Sequence, residues 1–190
     1  MTMYISLILG FILFYSVHLL SFFTNKRSKL IEKYGERGFR LRYVAFALPG
    51  FVLMVSPFFL SNERSTPLYS DLYSFMNEII FMALILLTAG NMPKSLTKKV
   101  FKHPMVLGYA LWAFAHFLVI SNVYGRYFFL LQWIFAISYY ALLFYRDRKI
   151  VIDWNLKATI PNFFATVFMY FFIGFFHQYF TGKNIWRLIW

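Results

Sequence analysis

Cysteine is absent from this chain of 190 residues, and acidic residues are scarce. Without cysteine there is no disulfide, no thiolate-ligated haem, no iron–sulfur cluster and no covalent haem attachment through a Cys-x-x-Cys-His motif. Seven Asp and Glu residues stand against 19 Lys and Arg residues, which gives a net charge of +12. Any metal or haem site must therefore use His, Glu, Asp or Met side chains.

Long polar stretches are also missing. Charged residues make up only 14% of the chain, whereas apolar residues make up 61% and aromatic residues 24%. The longest polar gap is shorter than about 20 residues, and a compact soluble domain usually needs about 50 or more. The composition therefore argues against a soluble domain.

Six apolar segments dominate the chain instead. The hydrocarbon core of a bilayer is about 30 Å thick, and a helix needs about 20 apolar residues to cross it. Such segments occur at residues 3–23, 43–61, 72–91, 105–122, 127–145 and 161–180. They predict an all-α polytopic membrane helix bundle of about six transmembrane helices, forming a single domain over residues 1–190.

Positive charges lie in alternate gaps between these segments. The gap after the first segment holds seven Lys and Arg residues, the gaps after the third and fifth hold four each, and only four lie elsewhere. The positive-inside rule then places the three basic gaps in the cytoplasm and both termini outside it. Because these charges lie beside membrane spans, attraction to anionic lipid explains them. We therefore expect the lipid bilayer as a partner, and no nucleic acid.

Ionisable residues within apolar spans are costly and commonly mark function. The candidates here are His18, Glu78, His116 and His177, with His103 at the start of the fourth span. A neutral histidine can also simply hydrogen-bond a neighbouring carbonyl, so a structural role stays open for each histidine. On one helix, His103 and His116 point about 140° apart, so we do not expect them to share a small site.

The helical face that carries His116 also carries Met105, Tyr109, Trp112 and Ala113. Aromatic walls beside a small residue could line a flat apolar cofactor, with Ala113 leaving room next to the imidazole. The same aromatic face could equally pack against a neighbouring helix.

Two blocks of this sequence resemble the NnrU family. The first is Gly-Glu-Arg-Gly-Phe-Arg-Leu-Arg-Tyr at residues 35–43, which follows a first span with an internal histidine. The second is Lys-His-Pro-Met-Val-Leu-Gly-Tyr-Ala-Leu-Trp-Ala-Phe-Ala-His at residues 102–116. The resemblance covers about residues 10–150, and the sixth span and tail at 151–190 are less characteristic.

This resemblance implies a multi-pass protein of the bacterial inner membrane, in a family associated with denitrification. A plant relative, the 15-cis-zeta-carotene isomerase, uses a b-type haem held between histidines of its helices. Carried over to this chain, it implies haem b with His18 and His116 as axial ligands of the iron. Tyr109 and Trp112 would lie beside the cofactor, and His103 would be a third motif histidine of unassigned role.

The resulting expectation is redox or isomerase chemistry on an apolar small molecule, or support of nitrite and nitric oxide respiration. Two alternatives stay open. The His-Pro-x-x-x-Gly element at residues 103–108 resembles membrane methyltransferases that use S-adenosylmethionine. A non-catalytic membrane assembly factor would need its histidines only for structure.

Overall fold

The computed structural model describes residues 2–61, 73–92 and 94–181, which are helical almost throughout. Its α helices, in chain order, are α1 Thr2–His18, α2 Thr24–Leu60, α3 Tyr73–Ala89, α4 Leu96–Phe101, α5 Pro104–Val119, α6 Val123–Arg146 and α7 Leu156–Thr181. A 3-10 helix, Leu19–Ser21, lies between α1 and α2. Strands do not occur in the described residues, and the predicted all-α class is confirmed.

The predicted spans each fall on an apolar helix or on part of one. Within the described residues, α2, α6 and α7 are long and apolar enough to cross a membrane. The apolar helices α1, α3 and α5 are shorter, with 16 or 17 residues each. These helices confirm a membrane protein, whereas the number of six crossings and the orientation of the termini stay predictions.

Helix α2 contains both the first basic gap and the second predicted span. Its backbone leaves helical geometry at Gly35, where φ is +69° and ψ is 163°. A side chain is strained at this positive φ, so glycine suits this break in the helix. The sequence predicts helix breaks at both Gly35 and Gly38, before the second predicted span. The break at Gly38 is wrong, because the helix continues there and Arg42 donates a hydrogen bond to the Gly38 carbonyl at 3.1 Å.

Contacts divide the chain into two compact units. The first contains α1, α2 and residues 122–128. Its two long helices approach closely because Gly10 lies against the backbone of Met54, and Gly50 lies against that of Phe14. A hydrogen bond from Ser6 Oγ to the Leu53 carbonyl, at 2.9 Å, joins the same pair of helices.

The second unit contains α3, α4, α5, α7 and the part of α6 from residue 129 onward. Helix α3 packs against α5, where Gly108 lets the Ala83 carbonyl approach. It also packs against α7 through a polar contact, in which the hydroxyls of Thr88 and Thr166 lie 2.8 Å apart. Polar groups satisfied between helices in this way hold membrane helices together. The single domain expected from the sequence stays a prediction.

Candidate functional site

His18 is the last residue of α1, in the first unit. The predicted span 3–23 is α-helical only as far as His18, because the chain tightens into the 3-10 helix Leu19–Ser21 directly after it. The Nδ1 atom of His18 lies 2.6 Å from the carbonyl oxygen of Phe14, one turn earlier. The imidazole also packs against aromatic rings, with centroids 4.2 Å from Phe14 and 5.2 Å from Tyr43.

His116 lies near the end of α5, in the second unit, and has the same local geometry. Its Nδ1 atom lies 2.8 Å from the carbonyl oxygen of Trp112, again four residues earlier. The imidazole stacks on Phe129 of α6 with a centroid distance of 4.8 Å and an angle of 24° between the rings. The Trp112 ring lies 4.8 Å away on the same helix.

These two hydrogen bonds assign the protons of both imidazoles. A backbone carbonyl can only accept, so Nδ1 must carry the hydrogen in His18 and in His116. In a neutral ring the lone pair is then on Nε2, which is the ring nitrogen that can coordinate a metal. Metal-bound histidines commonly show this arrangement, in which the second ring nitrogen donates to a carbonyl and fixes the ring.

The aromatic face predicted around His116 is present. Tyr109 stacks on Trp112 with centroids 5.3 Å apart, and Trp112 continues to His116. The Tyr109 hydroxyl donates a hydrogen bond of 2.7 Å to Gln132 Oε1 of α6, and Gln132 is fully buried. Sequence analysis missed Gln132 and Phe129. An amide inside the apolar segment at residues 127–145 was the signal that could have identified Gln132.

His103 takes part in a different cluster of the second unit. It precedes Pro104 at the start of α5, as predicted, and its Nε2 atom lies 2.7 Å from Asp147 Oδ2. Arg146 donates two hydrogen bonds to the same carboxylate, at 2.7 and 2.8 Å. Lys102 donates to the carbonyl of Asp147 at 2.7 Å and also contacts the next carbonyl. These hydrogen bonds and ion pairs therefore hold the start of α5 against the end of α6.

Comparison with known proteins gives one result for the chain as a whole. The family model described as NnrU protein matches residues 6–185. The chain belongs to the NnrU family. No curated protein and no solved structure matches it. The match includes the sixth predicted span as well as the two blocks on which the resemblance rests.

In this NnrU-family chain, the His103–Asp147 pair has a defined charge state. Hydrogen bonding from Arg146, which is the strongest influence, lowers the pKa of the Asp147 carboxyl from 3.8 to about 2. Burial lowers the pKa of His103 below 6.5, although the hydrogen bond to Asp147 opposes this effect. At neutral pH, His103 is therefore uncharged and donates its Nε2 proton to an ionised carboxylate.

Replacing Asp147 by asparagine should weaken the link between α5 and α6. Three donors from Arg146 and His103 lose their charged acceptor, which we expect to lower the free energy of unfolding by about 1–3 kcal/mol. Because the pKa of Asp147 is lower in the folded chain, its contribution is present above pH 3.8 and is lost as the pH falls towards 2. The measurement is unfolding by sodium dodecyl sulfate in detergent micelles, followed by circular dichroism.

The matched control for this variant is Asp153→Asn, which removes the same charge from an exposed position. The difference in stability between the wild type and Asp147→Asn should narrow as the buffer is acidified from pH 4. Equal unfolding of Asp147→Asn and Asp153→Asn at pH 7 would show that the cluster does not stabilise the fold.

The other two candidates lie on α3 and α7, and His177 is close enough to His116 for an electrostatic interaction. Glu78 has an exposed side chain on α3. His177 lies near the end of α7, where its Nδ1 atom is 3.0 Å from the Thr181 hydroxyl. Within the described ranges, no three His, Asp or Glu side chains are grouped closely enough to hold a metal ion by themselves.

Proposed function

We propose that this NnrU-family protein binds haem b through His18 and His116. The haem would serve redox or isomerase chemistry on an apolar small molecule, or the support of nitrogen-oxide respiration. The observation that carries this proposal is the shared geometry of the two imidazoles. Each donates from Nδ1 to the carbonyl four residues earlier, at 2.6 Å in His18 and 2.8 Å in His116.

The donor set fits a b-type haem. Haem that is not covalently attached needs axial side chains with a lone pair, and a chain without cysteine offers imidazole or thioether for this purpose. In both histidines the Nδ1–H bond leaves Nε2 as the basic nitrogen and raises its strength as a ligand. The contacts that support this proposal are those that each histidine makes within its own unit.

The neighbouring rings supply the rest of the environment. Phe14 and Tyr43 hold the His18 ring, and Phe129 stacks on the His116 ring. Such aromatic packing restricts the rotation of an imidazole and keeps water from its faces. The bond from Tyr109 to the buried Gln132 fixes the stacked Tyr109–Trp112 pair next to His116.

A bound haem would supply an iron that cycles between two oxidation states, and the residues set where it is held and how polar its surroundings are. The surroundings described here are aromatic and aliphatic. They suit a substrate without charge, such as a small apolar molecule that enters from the lipid. The family association with denitrification is the support for a role alongside nitrite or nitric oxide reduction.

A pyridine haemochrome assay on detergent-purified protein from haem-replete cells tests the proposal. We expect the spectrum of b-type haem in an amount close to that of the protein. Protein that is folded, monodisperse and free of haem under these conditions would end the proposal.

A further inference from the structure

A groove of about 350 Å³ lies in the first unit, beside the end of α1. Its apolar surface comes from Val17, Leu20 and Val44, with the aromatic rings of Phe39 and Tyr43. Two arginines, Arg27 and Arg40, complete the lining. A groove with this division of polarity suits a ligand that has an apolar body and an anionic edge.

The groove is next to His18. Val17 precedes this histidine in α1, and the Tyr43 ring that lines the groove has its centroid 5.2 Å from the imidazole centroid. A ligand that extends from His18 along Tyr43 would therefore reach the groove and its arginines.

Both guanidinium groups can receive an anion. Arg40 pairs with Glu36 at 2.8 Å, but both side chains of this pair are more than 60% exposed. Exposed pairs of this kind contribute little, so an incoming carboxylate can replace Glu36 as the partner of Arg40. The Arg27 guanidinium lies 5.7 Å from the centroid of the Phe39 ring, which holds it at the groove. Guanidinium groups bind carboxylates with two parallel hydrogen bonds.

We propose that this groove binds the propionate edge of the haem, with Arg27 and Arg40 as the partners of its carboxylates. This inference rests on the proposed function, because the haem must first be held at His18. An anionic lipid headgroup offers the same chemistry, and the experiment therefore includes an arm that separates the two sources.

The test compares two forms of the cofactor. Haem-free protein in detergent is titrated with protohaem and with its dimethyl ester, in which both propionates are uncharged. The variants are Arg27→Gln and Arg40→Gln, with Arg37→Gln as the matched control. Arg37 is exposed, lies on the same helix and does not line the groove.

We expect the wild type to bind protohaem at least about tenfold more tightly than the ester, since a charged hydrogen bond is lost with each blocked propionate. Arg27→Gln and Arg40→Gln should each lose about tenfold in affinity for protohaem and retain wild-type affinity for the ester. Arg37→Gln should bind both forms as the wild type does.

Three other results would overturn the inference, and they can be told apart. Wild-type protein that binds neither form contradicts the proposed function itself. If the wild type binds protohaem and the ester equally, and the arginine variants bind them as the wild type does, the groove does not bind the propionates. The proposal that the protein binds haem would still stand. A third result is loss of retained phosphatidylglycerol from both groove variants in native mass spectrometry, with unchanged protohaem affinity. It would assign the groove to a lipid phosphate instead.

Discussion

Alanine at His116, or at His18, is expected to remove most of the haem from the purified protein. Each substitution deletes a proposed ligand of the haem iron, whose Nδ1 proton is already held by a carbonyl of its own helix. A b-type haem has no covalent link to the chain, so its retention depends on these bonds and on apolar contact. The measurement is haem per protein by the pyridine haemochrome assay.

His177→Ala is the control for both variants. His177 is a histidine of α7 whose Nδ1 atom contacts the Thr181 hydroxyl of its own helix. Its replacement should leave the haem content unchanged. Circular dichroism and gel filtration would establish that His18→Ala and His116→Ala are folded. Full haem content in either folded variant would exclude that histidine as an essential ligand.

Gly10→Ala is expected to be the most destabilising methyl addition in the first unit. A Cβ atom at this position would lie 2.4 Å from the backbone nitrogen of Met54 and 2.6 Å from the carbonyl oxygen of Gly50. Backbone atoms cannot rotate away, so α1 and α2 must move apart. Overpacking of this kind costs about 1–3 kcal/mol. The midpoint of unfolding by sodium dodecyl sulfate should fall accordingly.

Gly38→Ala serves as the comparison for Gly10→Ala. A Cβ atom there would meet the end of the flexible Arg42 side chain at 3.3 Å and Tyr34 Cβ at 3.4 Å. The backbone at Gly38 is helical, and alanine is favoured over glycine within a helix by about 1 kcal/mol. We therefore expect Gly38→Ala to unfold at or above the wild-type midpoint. A Gly10→Ala protein as stable as Gly38→Ala would show that the close approach of α1 and α2 is not required.

The same close packing supports the environment of His18. A Cβ atom at Gly50 would lie 2.6 Å from the backbone nitrogen of Phe14 and 3.0 Å from its Cα. Phe14 supplies both the carbonyl that binds His18 Nδ1 and the ring that packs on the imidazole. Gly10 and Gly50 therefore let α1 and α2 pack closely at Phe14, and Phe14 in turn positions His18.

Much of the fold could be predicted because lipid imposes a simple requirement. A segment of about 20 apolar residues must satisfy its backbone hydrogen bonds internally, so it forms a helix. The entry of α5 at Pro104 and the break at Gly35 follow from single residues with restricted or unusual backbone freedom. Helix ends were less predictable: α1 stops at His18, although the apolar sequence continues.

The candidate site could be predicted only in part. The histidines and the aromatic face of α5 follow from helical spacing, because they belong to one element. Gln132, Phe129 and Asp147 are contributed by other segments, and their pairing with Tyr109, His116 and His103 is set by tertiary packing. A single sequence does not indicate which residues meet across helices.

Electron paramagnetic resonance of the oxidised wild-type protein tests the proposed coordination by His18 and His116 most directly. Two imidazole ligands give a strong ligand field, so the ferric haem should show a low-spin signal. A single imidazole with water or an open position would leave the iron high-spin. A predominantly high-spin spectrum, or protein with no haem iron, would contradict coordination by both His18 and His116.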